Sequence, residues 1–242
     1  MPTLGITCVD TKFYSKTKVA LERTLETLNH LDIKKIYWFS DQPLQIDTSV
    51  TIQHIQIPQI DNTLEEVCFQ KIYSEVMLRQ CPKLVEEDFN LIIHADGYAV
   101  NKDAWTDEFW NYDYTGAVWK KWTWWCENLV GNGGFCLRSK KLLSALDALN
   151  LPTDVDDYPG TVLEKDWLAS QGYAKQLRYI PEDNIICRWY RQKLEKEFGI
   201  KFAPLALADQ FSIERNFESP WLGKSLGFHG KHGVHEFYGV EI

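Results

Sequence analysis

The residues best suited to chemistry are His94 and Asp96, which close the stretch Asn90-Leu91-Ile92-Ile93-His94-Ala95-Asp96-Gly97. In a continuing strand, side chains two apart point to the same side. An imidazole and a carboxylate aimed together can hold a divalent cation. Gly97 would let the backbone turn sharply or approach a ligand closely. The alternative is a strand end with an ordinary polar turn. Glu182 and Asp183 follow Pro181. They read either as acidic residues stabilising a helix N-terminus or as a general base. His229, Lys231, His232 and His235 lie in a glycine-rich tail, a setting for metal or phosphate ligands. Gly131, Gly133 and Gly134 flank Asn132 and permit close approach of a ligand. Their spacing is not the dinucleotide fingerprint, and the Gly-Lys-Ser/Thr ending of a P-loop is absent. Trp122, Trp124 and Trp125 end an aromatic-rich stretch over 105–125 and mingle with Lys120 and Lys121. Such a loop suits stacking on a sugar or another flat ligand; the alternative is a packed loop.

These groups need elements to position them. The apolar run 91–93 reads as a buried strand. Residues 4–9 alternate as a first strand ending in Asp10. Helical periodicity follows over 15–31, with Ser15 or Thr17 as N-cap. Residues 33–39 form a second strand ending in Ser40-Asp41, and 50–57 a third. This order opens an α/β fold with a largely parallel sheet. Asp10, Asp41 and the His94–Asp96 end then share one rim, where open α/β folds bind ligands. Carboxylates after strands one and two suit a ribose or a base edge, or else serve as caps and turn residues. A helix is expected over 62–81, capped by Asn62 or Thr63 and ending before Pro82. On it Lys71 and Tyr73 are either ligand contacts or ordinary surface and core positions. Further along, 98–101 reads as a short continuation of the sheet and 135–137 as a strand. Ser139 caps a helix to about Leu149, 164–172 reads as a short helix, and 211–214 as a strand.

Composition narrows the partners. The 242 residues are 45% hydrophobic, enough for a sizeable core, and no linker divides them, so one domain spanning 1–242 is expected. The net charge of -8 and the lack of a basic run argue against nucleic acid. An anionic ligand would need a local device to offset that field, such as a metal ion or backbone N–H groups. No apolar run approaches the length of a membrane span, and no signal peptide is visible. Six scattered cysteines without a C-x-x-C pair point to reduced thiols and a cytoplasmic location.

Taken in order, the stretches 92–96, 114–119 and 130–139, the Glu182-Asp183 pair and the Gly-Phe-His-Gly of 227–230 resemble a group of glycosyltransferase-like proteins with the GT-A fold. The resemblance implies a three-layer α/β fold with a mixed, mostly parallel central sheet. It implies transfer of a sugar from a nucleotide-sugar donor to a carbohydrate or other hydroxyl acceptor. It also implies a divalent cation, Mn2+ or Mg2+, bridging the donor diphosphate. His94-Ala95-Asp96 matches the Asp-x-Asp metal motif, with histidine replacing the first aspartate, and His229 matches the histidine that completes the metal site. By the same resemblance Thr7, Asp10, Ser40, Asp41 and Lys71 face the nucleotide, as do Asp96 and Gly97. Asn132, Gly133 and Gly134 lie under the donor sugar and acceptor, and Trp122, Trp124 and Trp125 meet the acceptor. Glu182 and Asp183 look like the acidic pair that supplies the base in inverting members. Two rival readings use the same residues. One is a non-catalytic carbohydrate- or nucleotide-binding protein with a degenerate metal site; the other is a metal-dependent hydrolase.

Overall fold

A computed structural model describes residues 1–119, 129–154, 179–230 and 233–241. Four strands, β1 (Thr3–Val9), β2 (Asp32–Ser40), β3 (Thr51–Gln56) and β4 (Phe89–Ile93), run parallel in the order β3-β2-β1-β4. A three-residue strand β5 (Gly97–Ala99) leaves this sheet. The main sheet continues through β7 (Cys136–Ser139) to β6 (Tyr114–Gly116), with β7 antiparallel to both neighbours. A second sheet pairs β5 with β9 (Gly227–His229), and β9 with β8 (Ser212–Ile213).

Side chains alternate across a strand, so each central strand feeds two cores. Leu91 and Ile93 of β4 join Ile36 and Trp38 of β2 under helix α1 (Tyr14–Thr27), which contributes Leu21. Ile92, Tyr37 and Phe39 face the other way, onto Ile72, Val76 and Leu142. The result is helix, sheet, helix, with the sheet fully covered at its centre. Burying each of these Leu, Ile and Phe side chains is worth about 1.5–3 kcal/mol.

Four local expectations change. Helix α1 is not capped by Ser15 or Thr17. Its N-cap is Phe13, with no side-chain cap bond; Asp10 instead shapes the turn into the helix, its Oδ1 accepting the Lys12 and Phe13 N–H groups at 2.8 Å each and its Oδ2 the Thr17 hydroxyl at 2.6 Å. The helix expected over 62–81 begins at Phe69, whose N–H donates to Asn62 Oδ1 at 2.9 Å. It widens to a π turn over Val76–Gln80 and resumes over Cys81–Leu84. Pro82 is tolerated because it sits in the first turn of that last piece, where its missing N–H costs nothing. The strand expected to carry His94 and Asp96 ends at Ile93. Residues 98–101 do not extend the main sheet; β5 starts at Gly97 and belongs to the second one. The short helix expected over 164–172 lies outside the described residues.

Candidate active site

The site forms where β4 passes to β5. His94 N–H donates to Gly97 O at 2.8 Å and Gly97 N–H to His94 O at 3.1 Å, so Ala95 and Asp96 make the tip of a tight turn. His94 and Asp96 converge through this turn and not through strand alternation. Pairing of β5 with β9 then sets Gly97 opposite His229, and Gly230 N–H donates to Asp96 O at 2.8 Å. Residues more than 130 positions apart in the chain are thus brought side by side by backbone pairing alone. One ligand atom from each of His94, Asp96 and His229 lies within 4.8 Å of the others.

Glycines make room for these rings. A Cβ on Gly134 would collide with His229 Nε2, and one on Gly97 would press on the same ring. Asn132 adopts a left-handed backbone (φ 66°), which an asparagine tolerates better than most residues. Its Oδ1 accepts the Gly134 N–H at 3.0 Å, which turns its Nδ2 to His229 Nδ1 at 2.8 Å. Glu214 Oε1 stands 3.8 Å from the same Nδ1, and Asp96 Oδ1 lies 3.8 Å from Nε2.

The two histidines are driven apart in acidity. Burial, then the nearby His229 charge, pushes His94 down to about 3, so it is a neutral ring at pH 7. Its Nε2 is buried with no hydrogen-bond partner among the described residues. A neutral imidazole with an orphaned nitrogen, beside a carboxylate and a second imidazole, fits a divalent cation. At His229 burial acts to lower the pKa, but the Glu214 and Asp96 carboxylates outweigh it and raise it.

The acidic pair splits into two roles. Glu182 is buried and ion-paired to Arg138, Nη2 to Oε1 at 2.7 Å. Asp183 is partly exposed to the cleft; its Oδ2 accepts the Gly133 N–H at 3.0 Å and its Oδ1 the Asn184 N–H at 2.7 Å. Burial raises the Asp183 pKa against those two hydrogen bonds. A held carboxylate of raised basicity at the wall of a cleft can take a proton.

That cleft is about 900 Å³, the size of a small-molecule site. His94, Asp96, His229, Asn132, Gly133, Gly134, Glu182, Asp183 and Asp10 all line it. Thr7, Ser40, Asp41, Lys71 and Gly97 do not. Thr7 is fully buried and donates to Asn90 Oδ1 at 2.9 Å. Asp41 accepts the Tyr14 hydroxyl at 2.5 Å, and Ser40 is buried beside it. The Lys71 ammonium sits over the Tyr179 ring at 5.2 Å. Gly97 is buried beneath His229. Trp122, Trp124, Trp125 and His232 lie outside the described residues.

Sequence reasoning assigned no role to Arg138, Glu214 or Arg188. Arg188 carried a signal, since a charge between Ile185-Ile186-Cys187 and Trp189-Tyr190 needs a partner. Glu214 and Arg138 carried none that spacing could reveal.

Residues 55–229 match DUF5672, a family described as a protein of unknown function, and the chain belongs to that family. No curated protein matches the sequence. Among solved structures the chain is similar to galactosyltransferase LgtC in complex with donor and acceptor sugar analogues. That likeness has a TM-score of 0.53 at 10% identity and covers 98% of this chain and 94% of LgtC. An active-site mutant of LgtC is similar over the same shares, with a TM-score of 0.51 at 10% identity. The glycosyltransferase GlyE of Streptococcus pneumoniae TIGR4 gives 0.47 at 13% identity, over 98% of this chain and 59% of GlyE. The mixed six-stranded sheet of this chain therefore belongs to the GT-A glycosyltransferase fold.

Proposed function

We propose that this DUF5672 member is a nucleotide-sugar-dependent glycosyltransferase that moves a sugar to a hydroxyl on a carbohydrate or glycan acceptor. One observation carries the reading: three ligand atoms from His94, Asp96 and His229 meet within 4.8 Å at the strand-end rim of a GT-A sheet, inside a cleft of about 900 Å³. Ligands of open α/β folds sit at this rim. LgtC, which shares the fold, was crystallised with donor and acceptor sugar analogues.

The roles follow from the chemistry. Asp96, His94 and His229 would hold a divalent cation, and two imidazoles in the set favour Mn2+ over Mg2+. When bound, the cation supplies positive charge against the leaving diphosphate. Lys12 and Lys16 line the cleft beside Asp10 and add charge for the donor's phosphates. Gly133 and Gly134 leave room for the Glu182 carboxylate and the His229 ring and line the cleft where the donor sugar would lie. Asp183 takes the proton of the acceptor hydroxyl as it attacks, and a base placed across from the leaving group gives inversion.

Calorimetric titration with nucleoside diphosphates, with and without Mn2+, tests the reading. Binding at least tenfold tighter with Mn2+ is expected. No nucleotide binding in either arm removes the donor site, and binding indifferent to Mn2+ supports a non-catalytic binding protein instead. A thermal-shift screen of nucleotide sugars then identifies base and sugar.

A further inference from the structure

Among the described residues, one cation of the cleft is aligned with no carboxylate in ion-pair contact. Arg188 belongs to the π turn Ile185–Trp189, five residues beyond Asp183, and lines the cleft with it. Its guanidinium lies 4.1 Å from the centroid of the Trp119 ring, and its Nη1 donates to Asn184 Oδ1 at 2.7 Å. Trp119 is itself pinned, since its ring packs where a Cβ on Gly131 would stand. Stacking and one hydrogen bond therefore fix the guanidinium plane. Among the described residues it forms no ion pair with a carboxylate, and its Nε–H is buried without a partner. The Asp183 carboxylate feels the Arg188 charge, but its oxygens accept the N–H groups of Gly133 and Asn184 and not the guanidinium.

An arginine half out of water with no described carboxylate in contact is costly to keep for folding alone. A rigid guanidinium fork is suited to a planar carboxylate or to phosphate oxygens. The protein carries a net charge of -8, so an acidic substrate would need such a local device to enter. The neighbour of Arg188 is the proposed base, so the group it meets belongs to the acceptor and not to the donor's nucleoside.

We propose that Arg188 selects an acidic acceptor: a sugar whose carboxylate or phosphate pairs with the guanidinium while its hydroxyl faces Asp183. The role of Asp183 here rests on the glycosyltransferase reading; the anion preference of Arg188 can be measured apart from it. Sugar binding is followed by saturation-transfer NMR, with and without nucleoside diphosphate and Mn2+, using glucose, glucuronate and glucose 6-phosphate as probes. Glucuronate or glucose 6-phosphate should bind at least tenfold more tightly than glucose, and the pair of probes separates carboxylate from phosphate. Arg188→Gln, checked for fold by circular dichroism, should bring the acidic and neutral sugars within twofold, and Arg188→Lys should restore part of the gap. Equal binding of acidic and neutral sugars by the wild type, or a preference that survives Arg188→Gln, overturns the proposal. Loss of nucleotide binding by the wild type instead overturns the glycosyltransferase reading, while the nucleotide-free arm still reports on Arg188.

Discussion

Asp96 and Asp183 are carboxylates of one cleft held in different ways, and that difference predicts how each variant behaves. Asp96 is held by its backbone: its carbonyl accepts the Gly230 N–H, and its side chain only faces His229 at 3.8 Å. Asp96→Ala should therefore leave circular dichroism unchanged and shift stability by less than about 0.5 kcal/mol. Transfer should fall below detection. Loss of the folded spectrum would make Asp96 a structural residue. Asp183→Asn should leave donor binding intact while turnover drops by about 10²–10⁴-fold, the usual worth of a positioned base. Its pKa is raised from the ordinary 3.8, first by burial, so the carboxylate is protonated and idle over a wider acid range. Turnover should accordingly rise with pH through a limb centred above 3.8. A limb at or below that value would move the base to another residue. Much of this candidate site was readable from residue types: His94, Asp96 and His229 are polar groups at strand ends or among glycines, and Asp183 belongs to an acidic pair at a helix start. The places of Glu214 and of the Arg188 guanidinium were not readable, because a carboxylate near a histidine and a guanidinium over Trp119 exist only after chain segments 15 and 69 positions apart have met.

At the scale of elements, periodicity reported β1, α1, β2, β3 and β4 well, since each has enough residues for a pattern to repeat. Short pieces escaped it. β5 and β9 have three residues each, too few for alternation to show, yet their pairing delivers His229 to the turn after β4. The break over Val76–Gln80 escaped because its apolar spacing is that of an ordinary helix. Three backbone segments approach closely around His229, and Gly134 is the position where a side chain has no space. Gly134→Ala should push the ring away from His94 and Asp96. The expected cost is about 1–3 kcal/mol of stability by overpacking, with weaker Mn2+ binding measured by calorimetry. Full stability and full Mn2+ affinity in that variant would mean that the ring has another place to sit.

For the molecule as a whole, the question is what ties the cleft wall to the sheet. A buried charged link of this kind is the pair of Arg138 on β7 and Glu182 beside the proposed base. Arg138 is held at three points: Nη2 on Glu182, Nε at 3.3 Å from Cys136 Sγ, and its guanidinium 5.6 Å from the centroid of the Tyr114 ring. Removing one member strands a charge in a nearly water-free place, whereas removing both strands none. Arg138→Met should cost about 3–5 kcal/mol in urea unfolding at neutral pH. The double variant Arg138→Met/Glu182→Gln should recover most of that loss. Acidity sharpens the test. Burial, then the Asp183 charge, raises the Glu182 carboxyl even with Arg138 opposing, and loss of Arg138 removes that opposition. An acid raised on folding favours the folded state below its unfolded pKa and loses that benefit as pH rises through the folded value. Arg138→Met should therefore be closest to wild type in acid and fall away as pH rises through neutrality, while the double variant shows no such slope. An equal deficit at every pH would mean that packing around Tyr114, and not the stranded carboxylate, sets the cost.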